Sequence, residues 1–207
     1  MRVDTGPIPR ASETCADEMD PEPPSTISVA VGAPAWRTHL AGPKAVCRRA
    51  ADAALAKVPV PPWLARAEVS ILLADDATVR RLNARYRGQD RATDVLSFPA
   101  FDCIPEAAPG HLAPGPVPLG DIVLALETTR AEATAAGTPL SDHVSHLVIH
   151  GCLHLLGYDH QDGADAELME GLERSILERL GIADPYAGGV EGSTSAAGGE
   201  PALEALR

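Results

Sequence analysis

The chain has 207 residues and a mass of 21.6 kDa, enough for one domain of roughly 150 residues with tails, and its 45% hydrophobic content can build a core. A formal charge of -12, from 17 Lys and Arg against 29 Asp and Glu, argues against a protein that grips nucleic acid over a broad basic surface. No apolar run reaches the roughly 18–20 residues of a membrane span, and the N-terminus carries neither an apolar leader nor an Arg-rich transit pattern, so a cytoplasmic protein without membrane contact is expected.

Residues 1–25 mix Pro, Ser, Thr and acids, and residues 187–207 are rich in Gly, Ala, Ser and Glu. Both read as disordered tails around a domain spanning 26–186. Within it, the alternation of Ile27 to Val31 predicts a strand, and Val46, Ala50, Ala53, Ala54 and Leu55 mark a helix from about Pro43 to Lys57. Val69 to Leu73 reads as a second strand. A helix capped by Asp75 or Asp76 runs to about Arg85, and Asp94 to Phe98 makes a third strand. Residues 102–118, with five prolines, read as an irregular loop. Gly120 to Leu126 is a fourth strand, followed by helices over 127–136, 140–156 and about 165–180. The expected fold is α+β: a single domain in which a small mixed four-stranded sheet packs with about five helices.

Five of the seven histidines fall between positions 143 and 160. His150, His154 and His160 stand at i, i+4 and i+10, so the first two share a helical face. Gly157 can end the helix in the left-handed conformation and let the chain return His160 to the same point. Three neutral imidazoles with an open fourth position describe a catalytic zinc site. The spacing matches the zinc peptidase pattern H-E-x-x-H-x-x-G-x-x-H, but Gly151 stands where the peptidase carries its glutamate base. Cys152 lies about 200° around the helix from His150 and reads as core. His143 and His146 continue the histidine stripe and on spacing alone are ligands, partners of ligands, or a solvated face. Asp159 fits either an orienter of a ligating imidazole or a turn residue.

The run His150 to His160 resembles the H-G-x-L-H-L-x-G-Y-D-H signature of the YbeY family, bacterial rRNA maturation factors described as metal-dependent, single-strand-specific endoribonucleases. Leu82 to Pro99 resembles that family's L-N-x-x-Y-R-x-x-D-x-P-T-D-V-L-S-F-P block, with Ala92 in place of the proline, and Leu119 to Val123 matches a third block. The resemblance implies one Zn2+ ion held by His150, His154 and His160, and Arg87 as the arginine needed for activity. It further implies single-stranded RNA as substrate, ribosomal RNA and the small ribosomal subunit as partners, and roles in 16S rRNA 3' end maturation and ribosome quality control. Alternative readings are a non-enzymatic zinc-containing ribosome assembly factor, whose metal would need four protein ligands, and a metallopeptidase, which Gly151 disfavours.

Divided by segment, the charge is -4 over 1–25, 0 over 26–158, -6 over 159–186 and -2 over 187–207. Between Arg80 and Arg91 lie five arginines and one acid, Asp90. Arg80 and Arg81 read as a solvated helix face, whereas Arg87 can fork onto a phosphate. Gly120-Asp121, at the entry to a strand, reads either as a strand edge presenting backbone groups to an extended RNA or, more plainly, as a turn carboxylate, and Asp94 and Ser97 are further candidates to serve the site. No phosphate-binding glycine loop is present, so no nucleotide cofactor is expected. The four cysteines form no C-x-x-C pair and read as reduced thiols.

Overall fold

The computed structural model describes residues 26–109, 115–160 and 163–187. The tails expected at 1–25 and 187–207 therefore lie, apart from Ala187, outside the described residues. Four strands, β1 (Thr26–Val31), β2 (Ala67–Ala74), β3 (Val95–Pro99) and β4 (Val117–Ala125), form one sheet in the order β1-β2-β4-β3. The first three in that order are parallel and β3 is an antiparallel edge. The helices are α1 (Trp36–His39), α2 (Pro43–Lys57), α3 (Asp76–Arg87), α4 (Leu126–Ala136), α5 (Leu140–Leu155) and α6 (Gly163–Leu180). None of the described helices is long and apolar enough to cross a membrane.

The expected mixed four-stranded sheet and α+β class hold, with one short helix more than the sequence indicates. That helix, α1, is anchored by Trp36, which is fully buried and donates its indole N–H to the Ala74 carbonyl at 2.8 Å. β4 starts three residues before the expected Gly120. Pro118 is exposed and Val117 and Leu119 are buried, so the strand alternates through its proline. An irregularity opposite Glu68 and Val69 lets Gly120 face Val69 where Pro118 faces Glu68, which takes up the extra residue as a bulge.

The two faces of the sheet carry different loads. Side chains such as Val69, Ile71, Ile122 and Leu124 belong to the main core beneath α2, α5 and α6. The opposite face holds a smaller cluster of Ala74, Val79, Leu96, Val123 and Ala125 under α3. α5 runs through the main core and packs against α2, α4, α6, β3 and β4. From Val144 to Leu156 every residue is buried except His146, His150 and His154. Cys47 and Cys152 are free thiols in this core, and burial pushes both up to about 12, as expected for inert apolar cysteines.

Gly120 allows α5 and the edge strand to close up. Its φ is +145°, and an added Cβ would stand 2.3 Å from the Phe98 carbonyl oxygen and 2.7 Å from Leu155 Cδ2. Gly120→Ala must therefore move backbone or strain it, at a cost of about 2 kcal/mol, or roughly 4–8 °C in Tm. An unchanged thermal midpoint would contradict the close approach.

Candidate metal centre

The histidine stripe of α5 ends in a turn that reverses the chain. Gly157, at φ +88°, follows the last helical residues; its N–H bonds the His154 carbonyl at 3.0 Å and the Tyr158 N–H bonds the Leu153 carbonyl at 3.0 Å. This paired arrangement is a Schellman motif, and it realises the stop expected at Gly157. Asp159 then accepts the backbone N–H of His160 at 2.7 Å. Its carboxylate serves the turn.

As a result His150, His154 and His160 converge. Each offers a ring nitrogen, and these atoms lie within 4.8 Å of one another, so the trio could hold a metal ion. The ring centroids are 4.5 Å apart for His150 and His154, 5.2 Å for His154 and His160, and 5.6 Å for His150 and His160. His150 and His154 are partly buried, whereas His160 is exposed.

Hydrogen bonding sets the tautomers of the two helical histidines of the trio. His150 Nδ1 lies 2.8 Å from Glu173 Oε1, and His154 Nδ1 lies 2.9 Å from the Tyr158 carbonyl oxygen. An ionised carboxylate and a carbonyl only accept, so each Nδ1 carries the proton and each Nε2 keeps its lone pair. The two Nε2 atoms face one another at 3.0 Å. Two opposed lone pairs at that separation repel unless a cation or proton lies between them, so the donor set fits a metal. Burial, reinforced by His150, holds the His154 imidazole down at about 4, so it is neutral at physiological pH, as a ligand must be.

Glu173 is the residue that sequence reasoning missed. It sits on α6, is 1% exposed, and accepts from three side chains: His150 through Oε1, and through Oε2 His146 Nε2 at 3.0 Å and the Tyr186 hydroxyl. Burial alone would raise its carboxyl, but the bonds from His146 and His150 outweigh burial and hold it well below the usual carboxylate range. A signal was present: Met169, Glu173, Ile176 and Leu177 share the buried stripe of α6, which places an acid where the period calls for an apolar residue.

His146 thus spends its Nε2 on Glu173, and the group of described residues that could hold a metal is His150, His154 and His160 without it. His143 pairs with Glu132 at 3.1 Å, away from the trio. Gly151, the residue in place of the peptidase glutamate, faces inward: a Cβ there would lie 3.0 Å from Ile122 Cδ1 and 3.1 Å from Ser97 Oγ. Any side chain at this position would press on Ile122 and Ser97.

Arg87 ends α3, and its guanidinium is 3.5 Å from the Ser97 carbonyl. Ser97 pairs with Ile122 on the edge strand, in the register that turns its carbonyl out of the sheet, and its hydroxyl borders Gly151 beside His150. Arg87 therefore reaches the sheet edge that borders the histidine helix. Among the other arginines, Arg80 is held by Asp90 in a two-pronged pair at 2.7 and 2.8 Å, while Arg85 lies 5.3 Å over the exposed Tyr86 ring. Asn83 is buried and donates to the Arg91 carbonyl at 2.9 Å, tying down the loop after Arg87. Asp94 accepts from Thr93 at 2.8 Å, and Asp121 lines a groove with Ser70, Tyr86 and Phe98 on the sheet face opposite α5. The structure brings neither carboxylate to the histidines.

The family model for Endoribonuclease YbeY matches residues 40–181. The chain belongs to the YbeY family. It is 50% identical over 161 residues to the Endoribonuclease YbeY of Paramagnetospirillum magneticum, covering 77% of this chain and 94% of that one. It is 48% identical over 167 residues to the YbeY of Rhodopseudomonas palustris (80% and 91% covered), and 52% identical over 144 residues to that of Ruegeria pomeroyi (67% and 86% covered). The solution structure of TM1509 from Thermotoga maritima aligns at a TM-score of 0.46 with 20% identity, over 75% of this chain and 91% of that chain. The YbeY match includes all three histidines, Arg87 and Glu173 but ends before Tyr186.

The depressed His154 imidazole has a consequence for the metal-free chain. Unfolded, this histidine takes up its proton near 6.5; folded, it does so at about 4. Between those values the unfolded state binds more protons, so stability falls as the pH is lowered through that window. Denaturant melts of the chelator-treated chain should lose stability from pH 7 to pH 5, with the His154 ring resonances still those of a neutral Nδ1–H tautomer at pH 5.5. A His154 midpoint near 6.5 would contradict the assigned geometry.

Proposed function

We propose that the chain is a zinc-dependent, single-strand-specific endoribonuclease of the cytoplasm that matures the 3' end of 16S rRNA and takes part in ribosome quality control, with a catalytic domain spanning 26–186. Endoribonuclease action, and hence an RNA substrate, follows the relatives named above. The observation that carries the mechanism is the convergence of His150 and His154, each with Nδ1 engaged and Nε2 free, beside His160. Three imidazoles suit zinc, whose catalytic sites keep three protein ligands and one open position. Bound there, zinc would polarise a phosphoryl oxygen or lower the pKa of a water molecule.

The remaining work falls to the protein. Arg87 carries a planar guanidinium that can fork onto a scissile phosphate and offset charge developing on it. Its weak, 3.5 Å contact with the Ser97 carbonyl leaves most of its donors available. Glu173 and the Tyr158 carbonyl keep two imidazoles in the ligating tautomer. Among the described residues, the carboxylates bonded to the histidines are Glu173, Glu132 and the turn residue Asp159, all engaged, so none of these three serves as general base; the attacking group is water or the 2'-hydroxyl of the RNA. The small ribosomal subunit supplies the affinity that a domain with a net charge of -6 over 26–186 and a single arginine-rich segment lacks.

His154→Ala in a nuclease-free, zinc-loaded preparation should abolish cleavage of single-stranded RNA and lose the metal. Arg87→Ala should keep the metal and lose about 100-fold in rate, of the order seen when one transition-state donor is removed. Products ending in a 2',3'-cyclic phosphate identify the 2'-hydroxyl as nucleophile. Equal cleavage by the wild-type chain and His154→Ala would sink the enzymatic reading.

A further inference from the structure

We infer that Glu173 and Tyr186 form a clamp that positions His150 for metal binding, an assignment that rests on the metal reading of the histidine trio. The clamp begins in the segment after α6. Asp184 accepts the Tyr186 backbone N–H at 2.9 Å and turns the chain back on itself. Arg174, the residue after Glu173 on α6, spans the same fold: its guanidinium lies 5.1 Å over the Tyr186 ring and 3.7 Å from the Asp184 carboxylate. These contacts aim the Tyr186 hydroxyl inward at Glu173 Oε2.

The carboxylate is thereby fully committed. Oε2 takes Tyr186 and His146, which leaves Oε1 to the Nδ1–H of His150 alone, at 2.8 Å. Three donors from two elements hold one buried carboxylate at a fixed angle, and the carboxylate fixes the plane of the ring it serves. A charged acceptor also raises the electron density at the opposite ring nitrogen, strengthening it as a ligand. His154 lacks this: its Nδ1 rests on the neutral carbonyl of Tyr158. The two helical ligands are thus unequal, and His150 is the one whose orientation and basicity the last helix and the residues beyond it control. Tyr186 and Glu173 act through His150; they are positioning residues.

Two variants of the full chain test this, Glu173→Gln and Tyr186→Phe, with zinc affinity measured by competition against a chromophoric chelator and the visible absorption spectrum of the Co2+-loaded protein recorded. Glu173→Gln keeps the shape and removes the charge; zinc affinity should fall by about 10- to 100-fold, and the Co2+ bands should shift. Tyr186→Phe removes one donor and keeps the ring under Arg174; affinity should fall about fivefold, the equivalent of one hydrogen bond, with the metal-free thermal midpoint close to wild type. A merely structural role would lower the melt and leave the affinity and Co2+ spectrum of the folded fraction unchanged. Should Glu173→Gln fail to fold, Tyr186→Phe decides alone. Wild-type affinity and spectrum in the variants that fold would overturn the clamp; failure of the wild-type chain to bind stoichiometric metal would overturn the metal reading and the clamp with it.

Discussion

The rotation of α5 about its own axis is the constraint on which the rest of the site depends. With every residue from Val144 to Leu156 buried apart from three histidines, the helix has one polar stripe and no freedom to present another. Gly151 locks the setting, since its missing side chain is the space into which Ile122 and Ser97 fit. Any rotation large enough to move His150 and His154 off the opening would drive core residues such as Leu147, Val148 and Leu155 into solvent, at about 1.5–3 kcal/mol for each large side chain exposed. The hydrophobic effect thus does the orienting, and the hydrogen bonds only finish it.

Charge has a parallel logic. A histidine trio brings no negative charge of its own to a cation, and the protein places one ionised carboxylate a single ring away from it, in Glu173. The total charge of -12 argues at face value against nucleic acid, and half of it lies in residues 159–186. One of the acids there, Glu173, is buried against His150, and among the others Glu170 and Asp184 pair with Arg174, so part of the negative charge is structural rather than presented to a substrate. The positive surface is equally local: Arg80 is neutralised by Asp90, whereas Arg87 stands at the open edge of β3.

Much of this was legible in the sequence where local rules suffice. The i, i+4, i+10 histidine spacing, the glycine stop and the switch between strand and helix periods each act over a few residues, and each predicted its element to within a few positions. What escaped depends on contacts distant in sequence. Glu173 lies among Glu167, Glu170 and Glu178 and resembles a solvated face until α6 is laid on α5 and brings it to a histidine 23 positions away. Tyr186 carries no signal of its own, because its role comes from a turn closed by Asp184 and Arg174. The early start of β4 was hidden by Pro118 and Gly120, residues that elsewhere signal a turn and here sit at an exposed position and a bulge. Asp121 is the converse case, a residue in a recognisable block whose side chain the alternation of the strand sends to the other face of the sheet.

The measurement that bears most directly on the account is X-ray absorption spectroscopy of the zinc-loaded, full-length chain. An open three-histidine centre predicts three imidazole nitrogens at about 2.0–2.1 Å and one further light scatterer from solvent, with no sulfur. A fourth imidazole in the first coordination sphere, or a sulfur at about 2.3 Å, would contradict it.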